Sequence, residues 1–304
     1  MARLRRDLSR YGPLLLMAAP GLILLFVFAY LPLPGLILAF KDYNFRQGIL
    51  GSTWVGMRNF AFLFNSGTAV TIIRNTLLLN VLFIVSTQLA ALVAALLIHE
   101  VYDHFVTRVY QSILFFPYFI SFVLVGYFTF ALLNSETGFV NATLTAFGGS
   151  SIDWYASPQF WPYILTAVNL WRDVGYLTII YVAGIIGIHP EYFEAARIDG
   201  ANRWGEAWYI TLPLIRPLII ITVLLAIGRI FFANFDLIYN VTRDTGLLYP
   251  TTDVIDTYVF RSLKTLGNFN LASAAGLFQA TVGFLLVLAS NWLVRRVDSD
   301  QALF

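Results

Sequence analysis

Residues 190–213 read Pro190-Glu191-Tyr192-Phe193-Glu194-Ala195-Ala196-Arg197-Ile198-Asp199-Gly200-Ala201-Asn202-Arg203-Trp204-Gly205-Glu206-Ala207-Trp208-Tyr209-Ile210-Thr211-Leu212-Pro213. The punctuation of this polar stretch predicts two short helices. Pro190 suits a first helical position, and Glu191 and Glu194 fall in the first turn, where the helix dipole favours anions. Asp199-Gly200 ends the helix, because glycine accepts the left-handed conformation of a C-terminal cap. Asn202 can cap the next helix. Pro213 and Pro217 mark the end of the loop, and the small side chains of Ala195 and Ala196 let another surface approach closely. On helix physics alone, the stretch is also readable as an amphipathic loop that only tidies a bundle.

Outward from this loop the chain is apolar. Of 304 residues, 59% are hydrophobic and only 12% are charged, whereas soluble domains carry about a quarter charged residues. The mean hydropathy is +0.73. These values argue against a water-soluble enzyme and for a chain whose solvent is the bilayer. A net charge of +2 gives no basis for a nucleic-acid partner. With no cysteine, disulfides, thiolate catalysis and cysteine metal sites are excluded.

Six charge-poor runs predict membrane helices over about 13–40, 72–98, 113–133, 161–188, 218–241 and 271–294, with the polar loop spanning 189–217. The runs are continuous rather than alternating, which favours helices over a β-barrel. The expected fold is therefore an all-α six-helix bundle, one transmembrane domain over 1–304. The first run holds Pro13, Pro20, Pro32 and Pro34, so a broken or kinked helix is expected. It is too long for a cleaved signal peptide. Phe115, Phe116, Pro117 and Tyr118 are expected to kink the third.

Six spans put both termini on one side. Arg3, Arg5, Arg6 and Arg10 precede the first span, so the positive-inside rule places both termini in the cytoplasm. The segments then assigned to the cytoplasm hold ten Lys and Arg residues against seven in the outer loops, a weak bias. Those outer loops, about 41–70, 134–160 and 242–270, read as ordered caps. Trp54, Trp154, Trp161 and Trp292 fit interfacial belts.

The spacing within 190–213 carries a further signal. Glu194-Ala195-Ala196, three residues, Gly200, nine residues, Ile210, one residue, Leu212-Pro213 resembles the loop motif of permease subunits of binding-protein-dependent ABC importers, with all seven defining positions matched. The resemblance covers essentially the whole chain and extends to the carbohydrate-uptake permeases. Lys41-Asp42-Tyr43-Asn44 and Trp54-Val55-Gly56-Met57-Arg58-Asn59-Phe60 look like the subgroup that imports complex oligosaccharides, such as alginate- or pectin-derived, uronate-containing ones. This resemblance implies a type I importer permease of the bacterial inner membrane, half of a heterodimeric channel. Its implied partners are a second permease of similar fold, two ATP-binding-cassette ATPase subunits that hold Mg-ATP, an extracytoplasmic sugar-binding protein, and a sugar or oligosaccharide. It further implies that the short helix after Gly200 docks on the ATPase. Glu194, Ala195, Ala196, Asp199, Gly200, Ala201, Arg203, Ile210, Leu212 and Pro213 are the expected coupling residues.

No phosphate-binding loop is present. The two lysines, Lys41 and Lys264, follow Phe40 and Leu263, and neither completes Gly-Lys-Ser/Thr. The chain is expected to be non-catalytic and to hold no cofactor, with the energy supplied by another protein.

Charges at mid-membrane cost about 2.5–3.5 kcal/mol each on insertion scales and usually face the interior. Asn169, Arg172, Asp173, Tyr176 and Ile180 form one stripe at helical spacing. Arg229, Phe232, Ala233, Asp236, Tyr239 and Asn240 form another. Both stripes are expected to line a cavity or a subunit interface. Asn169, Arg172, Asp173, Tyr176, Arg229, Phe232, Asn234, Asp236, Tyr239 and Asn240 are the expected substrate-pathway residues, with Tyr176, Phe232 and Tyr239 to stack on sugar rings and the amides and charges to bind hydroxyls. Arg172 or Arg229 is a candidate partner for a sugar carboxylate; the alternative is neutralisation by Asp173, Asp236 or a partner chain. Asn80, Gln88 and Gln279 read as interhelical hydrogen bonds. His99-Glu100 with His104 has the wrong spacing for a zinc-protease helix. The rival readings are an ion-coupled secondary transporter using Asp173 and Asp236, a membrane-embedded enzyme and a structural scaffold.

Overall fold

The computed structural model describes residues 2–61, 67–101 and 104–297. The charges expected to orient the N-terminus (Arg3, Arg5, Arg6 and Arg10) and the His104 side chain lie outside the described side chains, as do residues 62–66 of the outer loop 41–70. Two compact units are present, one formed by 1–62 and 262–278, the other by 63–261 and 279–304.

In the first unit, α1 (Ala2–Leu25) runs through Pro13 and Pro20, passes into a wide turn over Phe26–Tyr30, and then into a tight helix over Leu33–Phe40. The change of helix type falls where Pro32 and Pro34 remove backbone donors. Lys41–Asp42 (β1) pairs antiparallel with Thr53–Trp54 (β2), so the two stretches quoted for the oligosaccharide subgroup fold onto each other. Asn59 Nδ2 donates to the Lys41 carbonyl at 2.8 Å, and the buried Lys41 ammonium donates to the Ile49 and Leu50 carbonyls at 2.9 and 2.8 Å. A buried ammonium needs such acceptors.

The second unit is built on α2 (Gly67–His99), which packs most extensively against α6 (Trp161–Ile186). Along α2, Ile72, Thr76, Leu79, Phe83, Ala91, Ala95 and Ile98 are buried, whereas Val81, Val85, Leu89, Val93 and Leu97 are exposed. That division follows the 3.6-residue period and separates a packing face from an exposed one. Between them lie α3 (His104–Phe115), α4 (Phe122–Leu133) and α5 (Phe139–Ala146). The third span bends by 96° at the break between Phe119 and Phe122, directly after the tight turn that carries Phe116 and Pro117. At Gly175 in α6, an added Cβ would lie 2.0 Å from the Leu114 carbonyl oxygen, so only glycine permits this crossing.

Beyond α6 come α7 (Pro190–Ile198), α8 (Arg203–Glu206) and α9 (Leu212–Gly228), then α10 (Phe235–Val241), α11 (Ile255–Leu266) and α12 (Phe269–Val297). Four helical runs among the described residues are long and apolar enough to cross a membrane; counting two bent pairs as spans gives up to six. The core is formed by Leu79, Trp161, Leu165, Leu237 and Val241 at one level and by Ala91, Ala95, Tyr181, Ile185 and Ile215 at another. Trp161, expected at a membrane interface, is instead fully buried, its indole N–H donating to the Trp154 carbonyl at 2.7 Å. That bond satisfies its polar end without an interface.

Candidate functional site: a capped polar turn and a cleft at a broken helix

The polar loop is a helix–turn–helix closed by a glycine. Gly200 adopts φ +83°. The Ala201 N–H donates to the Ala196 carbonyl at 2.9 Å and the Gly200 N–H to that of Arg197 at 3.1 Å. These are the 6→1 and 5→2 bonds of a Schellman cap. Asn202 then caps α8, its Oδ1 accepting from the Gly205 N–H at 2.8 Å. A wide turn over Ala207–Thr211 joins α8 to α9, with Pro213 in the first turn of α9. One helical path therefore runs from the loop through Pro213 and Pro217 into the apolar segment, so the expected boundary between the loop (189–217) and the fifth span (218–241) falls inside a continuous helix.

An ion pair braces the turn. Arg197 of α7 donates from Nε and a terminal nitrogen to the two carboxylate oxygens of Glu206, at 2.8 and 3.2 Å. The Glu206 residue is only 3% exposed. Bonding by Arg197 holds its carboxyl below the usual glutamate range, against the opposing effect of burial. Arg203 pairs with Glu100 at the end of α2, and the His99 ring lies 5.3 Å from that of Phe193. What the brace leaves outside is apolar: Ile198 is 87% exposed and Tyr209 85%, with Trp204 and Trp208 also exposed. Glu194, Ala195, Asp199, Gly200 and Pro213 are exposed as well; Ala196, Ala201, Ile210 and Leu212 are half-buried.

The second feature is a break in the fifth span. Helix α9 ends at Gly228 and α10 begins at Phe235, so the stripe from Arg229 to Asn240 does not lie on one helix. Peptide groups freed inside a bilayer must find partners in the protein. Here Asn80 donates to the Ile230 carbonyl at 2.9 Å and Gln279 to the Phe231 carbonyl at 2.7 Å. Asp256 accepts from the Ala233 N–H at 2.9 Å and from Gln279 at 3.0 Å. Asn80 and Gln279 thus bond between segments, as does Gln88, which accepts from the Tyr181 hydroxyl. The fixed break opens a cleft of about 520 Å³ lined by Asn80, Asn169, Arg229, Phe232, Asn234 and Asp236, among others. It is large enough for a sugar ring and offers amides, charges and an aromatic face.

Arg172, Asp173, Tyr176, Tyr239 and Asn240, also expected in the pathway, do not line this cleft. Arg172 donates to Asp173 at 2.8 Å and to the Ile120 carbonyl at 3.3 Å, and sits 3.9 Å from the Phe122 ring centroid. It therefore holds the bend of the third span. Tyr176 stacks on Tyr118, with centroids 5.0 Å apart. Tyr239 and Asn240 line a smaller pocket of about 180 Å³ beside Arg243. Asn169, in the cleft wall, donates to Thr87 at 3.2 Å. Neither Arg229 nor Asp236 forms an ion pair among the described residues. Sequence reasoning missed Arg197, Glu206 and Asp256, because their partners are fixed only by the fold; the spacing of Arg197 and Glu206 across a predicted turn was the one available hint.

Comparison with known proteins accords with this architecture. The chain is 34% identical to the polygalacturonan/rhamnogalacturonan transport system permease protein YteP of Bacillus subtilis, over 98% of this chain and 92% of that one. It is 33% identical to Protein LplB of the same organism, over 99% and 92%. Among solved structures, it superposes with a TM-score of 0.88 on a chain of a bacterial ABC transporter involved in the import of the acidic polysaccharide alginate, at 33% identity, covering 97% of this chain and 99% of that one. The fold is that of a type I importer permease, and an ion-coupled secondary transporter is not favoured. Residues 88–300 match the model of the binding-protein-dependent transport system inner membrane component, and the chain belongs to that family of multi-pass inner-membrane permeases.

Proposed function

We propose that the chain forms half of the transmembrane pathway of an ATP-driven importer of sugar chains, with acidic, uronate-containing oligosaccharides as cargo. The observation that carries this reading is the capped turn. It presents Ile198, Trp204 and Tyr209 to solvent on a chain with no phosphate-binding loop. An exposed apolar patch of this kind marks an interaction surface, and its occupant is an ATP-binding-cassette subunit. Two such subunits hold Mg-ATP, while this chain does no catalysis and carries no cofactor. A second permease of similar fold completes the channel, and an extracytoplasmic binding protein delivers the cargo. Both termini lie in the cytoplasm, which puts the turn on the ATPase side. All of 1–304 works as one permease domain.

The cargo follows from the cleft and from the relatives. One relative is named for polygalacturonan and rhamnogalacturonan, and solved ones for alginate, in one case with an alginate pentasaccharide on its periplasmic protein. Arg229 is the guanidinium available to a uronate carboxylate, since Arg172 is held by Asp173 and Ile120. Phe232 supplies a face for a ring. ATP binding closes the ATPase pair, the turn moves with it, and the cleft changes the side on which it opens.

In proteoliposomes holding the assembled importer, uptake of labelled alginate pentasaccharide or oligogalacturonate should require ATP and survive a proton uncoupler. Collapse of uptake with the gradient at constant ATP would refute the ATP-driven reading. Arg229→Ala should lower uptake of the acidic oligosaccharide about tenfold relative to a neutral one, the scale of one lost charged hydrogen bond. Equal losses for both sugars would sink the assigned role.

A further inference from the structure

The turn and the cleft are joined by one rigid element, and that element is not the helix leading directly from one to the other. Helix α9 leaves the loop through a wide turn over Ala207–Thr211, contains Pro217, and stops at Gly228. Wide turns and prolines are where helices bend. By contrast, α2 runs from Gly67 to His99 as uninterrupted α-helix with no proline. From Asn80 to His99 it covers roughly 28 Å.

Two places on α2, its C-terminal end and a point near its middle, are bonded to the parts that must move together. At the loop end, Glu100, the residue after α2, accepts from Arg203 of the docking turn, and His99 lies against Phe193 of α7. Ile98 is buried in the same cluster as Ile185 and Ile215. Near mid-helix, Asn80 donates to the Ile230 carbonyl inside the break, and Asn80, Phe83 and Ile84 form a cleft wall. Just beyond, Thr76 accepts from the Ile255 N–H at 3.0 Å.

We infer that α2 is the connecting rod of the transporter. Glu100 acts as the positioning residue that ties it to the docking turn, and Asn80 passes its displacement to the broken segment 229–234. This rests on the ATP-driven reading above, and it adds the route by which the stroke reaches the cleft and two residues outside the loop motif.

The chain lacks cysteine, so Phe232→Cys places a single thiol in this chain's cleft wall. In the assembled importer in nanodiscs, its rate of maleimide labelling is compared without nucleotide and with ATP plus vanadate. Glu100→Arg should reduce the nucleotide-driven change in labelling roughly fivefold, the low end of typical coupling between sites, while the ATPase subunits still co-purify and hydrolyse ATP. The double variant Glu100→Arg with Arg203→Glu should recover at least half of the change, which a merely structural defect would not. Glu100→Gln, which removes the charge with little change in shape, should give an intermediate loss and decides the question if Glu100→Arg fails to assemble. An unchanged response in Glu100→Gln and Glu100→Arg, or no recovery in an assembled charge swap, overturns the rod. Absence of any nucleotide response in the parent instead defeats the functional reading itself, and the rod with it.

Discussion

Replacing Gly200 by alanine adds one methyl group to a position where it would touch nothing, since no atom lies within 4 Å of the added carbon. The cost is therefore conformational. At φ +83°, an L residue pays about 1–2 kcal/mol for the left-handed region, and asparagine less than others because its side chain bonds locally. If the turn is held by its cap, alanine should weaken docking of the ATPase subunits about fivefold and valine about thirtyfold, with asparagine closest to the parent. Titrating the purified ATPase onto the permease in nanodiscs measures each affinity. The ranking is what decides. A surface that simply needs a small residue at Gly200 would rank the variants by volume and place asparagine below alanine. That order, or equal affinities for all three variants, would refute the view that the Schellman cap fixes the docking surface.

Two further outcomes follow from the brace and from the helix crossing. Glu206 has its carboxyl held below the ordinary value near 4.5, so its ion pair with Arg197 stabilises the loop fully above that value and is lost as the pH falls through the lower, folded-state value. Loop stability, followed by thermal unfolding, should be flat from pH 8 to about 5 and drop in stronger acid; Glu206→Gln should lower it at neutral pH and remove that acid step, and a parent that loses this stability between pH 8 and 6 would contradict the assignment. Gly175→Ala forces a carbon onto the Leu114 carbonyl and should cost about 1–3 kcal/mol of stability, the usual range for overpacking, seen as a lower unfolding temperature; an unchanged temperature would show that α6 and α3 can separate freely.

The loop was legible because its structure is local. Asp199-Gly200 and Asn202 announce a cap and a second start by chemistry that acts over three or four residues, and the Schellman bonds and the Asn202 cap are found there. The break at 229–234 was not legible. The residues from Arg229 to Asn240 keep a helical period, and no proline interrupts them. Their backbone is turned aside by Asn80, Asp256 and Gln279, which are 150, 23 and 48 residues from the groups they bond. Period reports which side chains avoid lipid; it is silent on whether the backbone between them stays wound. Arg172 and Arg229 looked equivalent for a related reason. Arg172 is bonded to its neighbour Asp173 and, across the bend, to the Ile120 carbonyl, whereas Arg229 lines the cleft. Trp161 was misplaced because a belt position and a buried indole with a carbonyl partner have the same sequence signature.

The three side chains that hold the break have a consequence for how such a protein changes over generations. Because Asn80, Asp256 and Gln279 keep the backbone at 230–233 in place, those bonds do not depend on the side chains of Arg229, Phe232 and Asp236. A lineage can exchange them one at a time and meet a new diet without first rebuilding the wall they stand on.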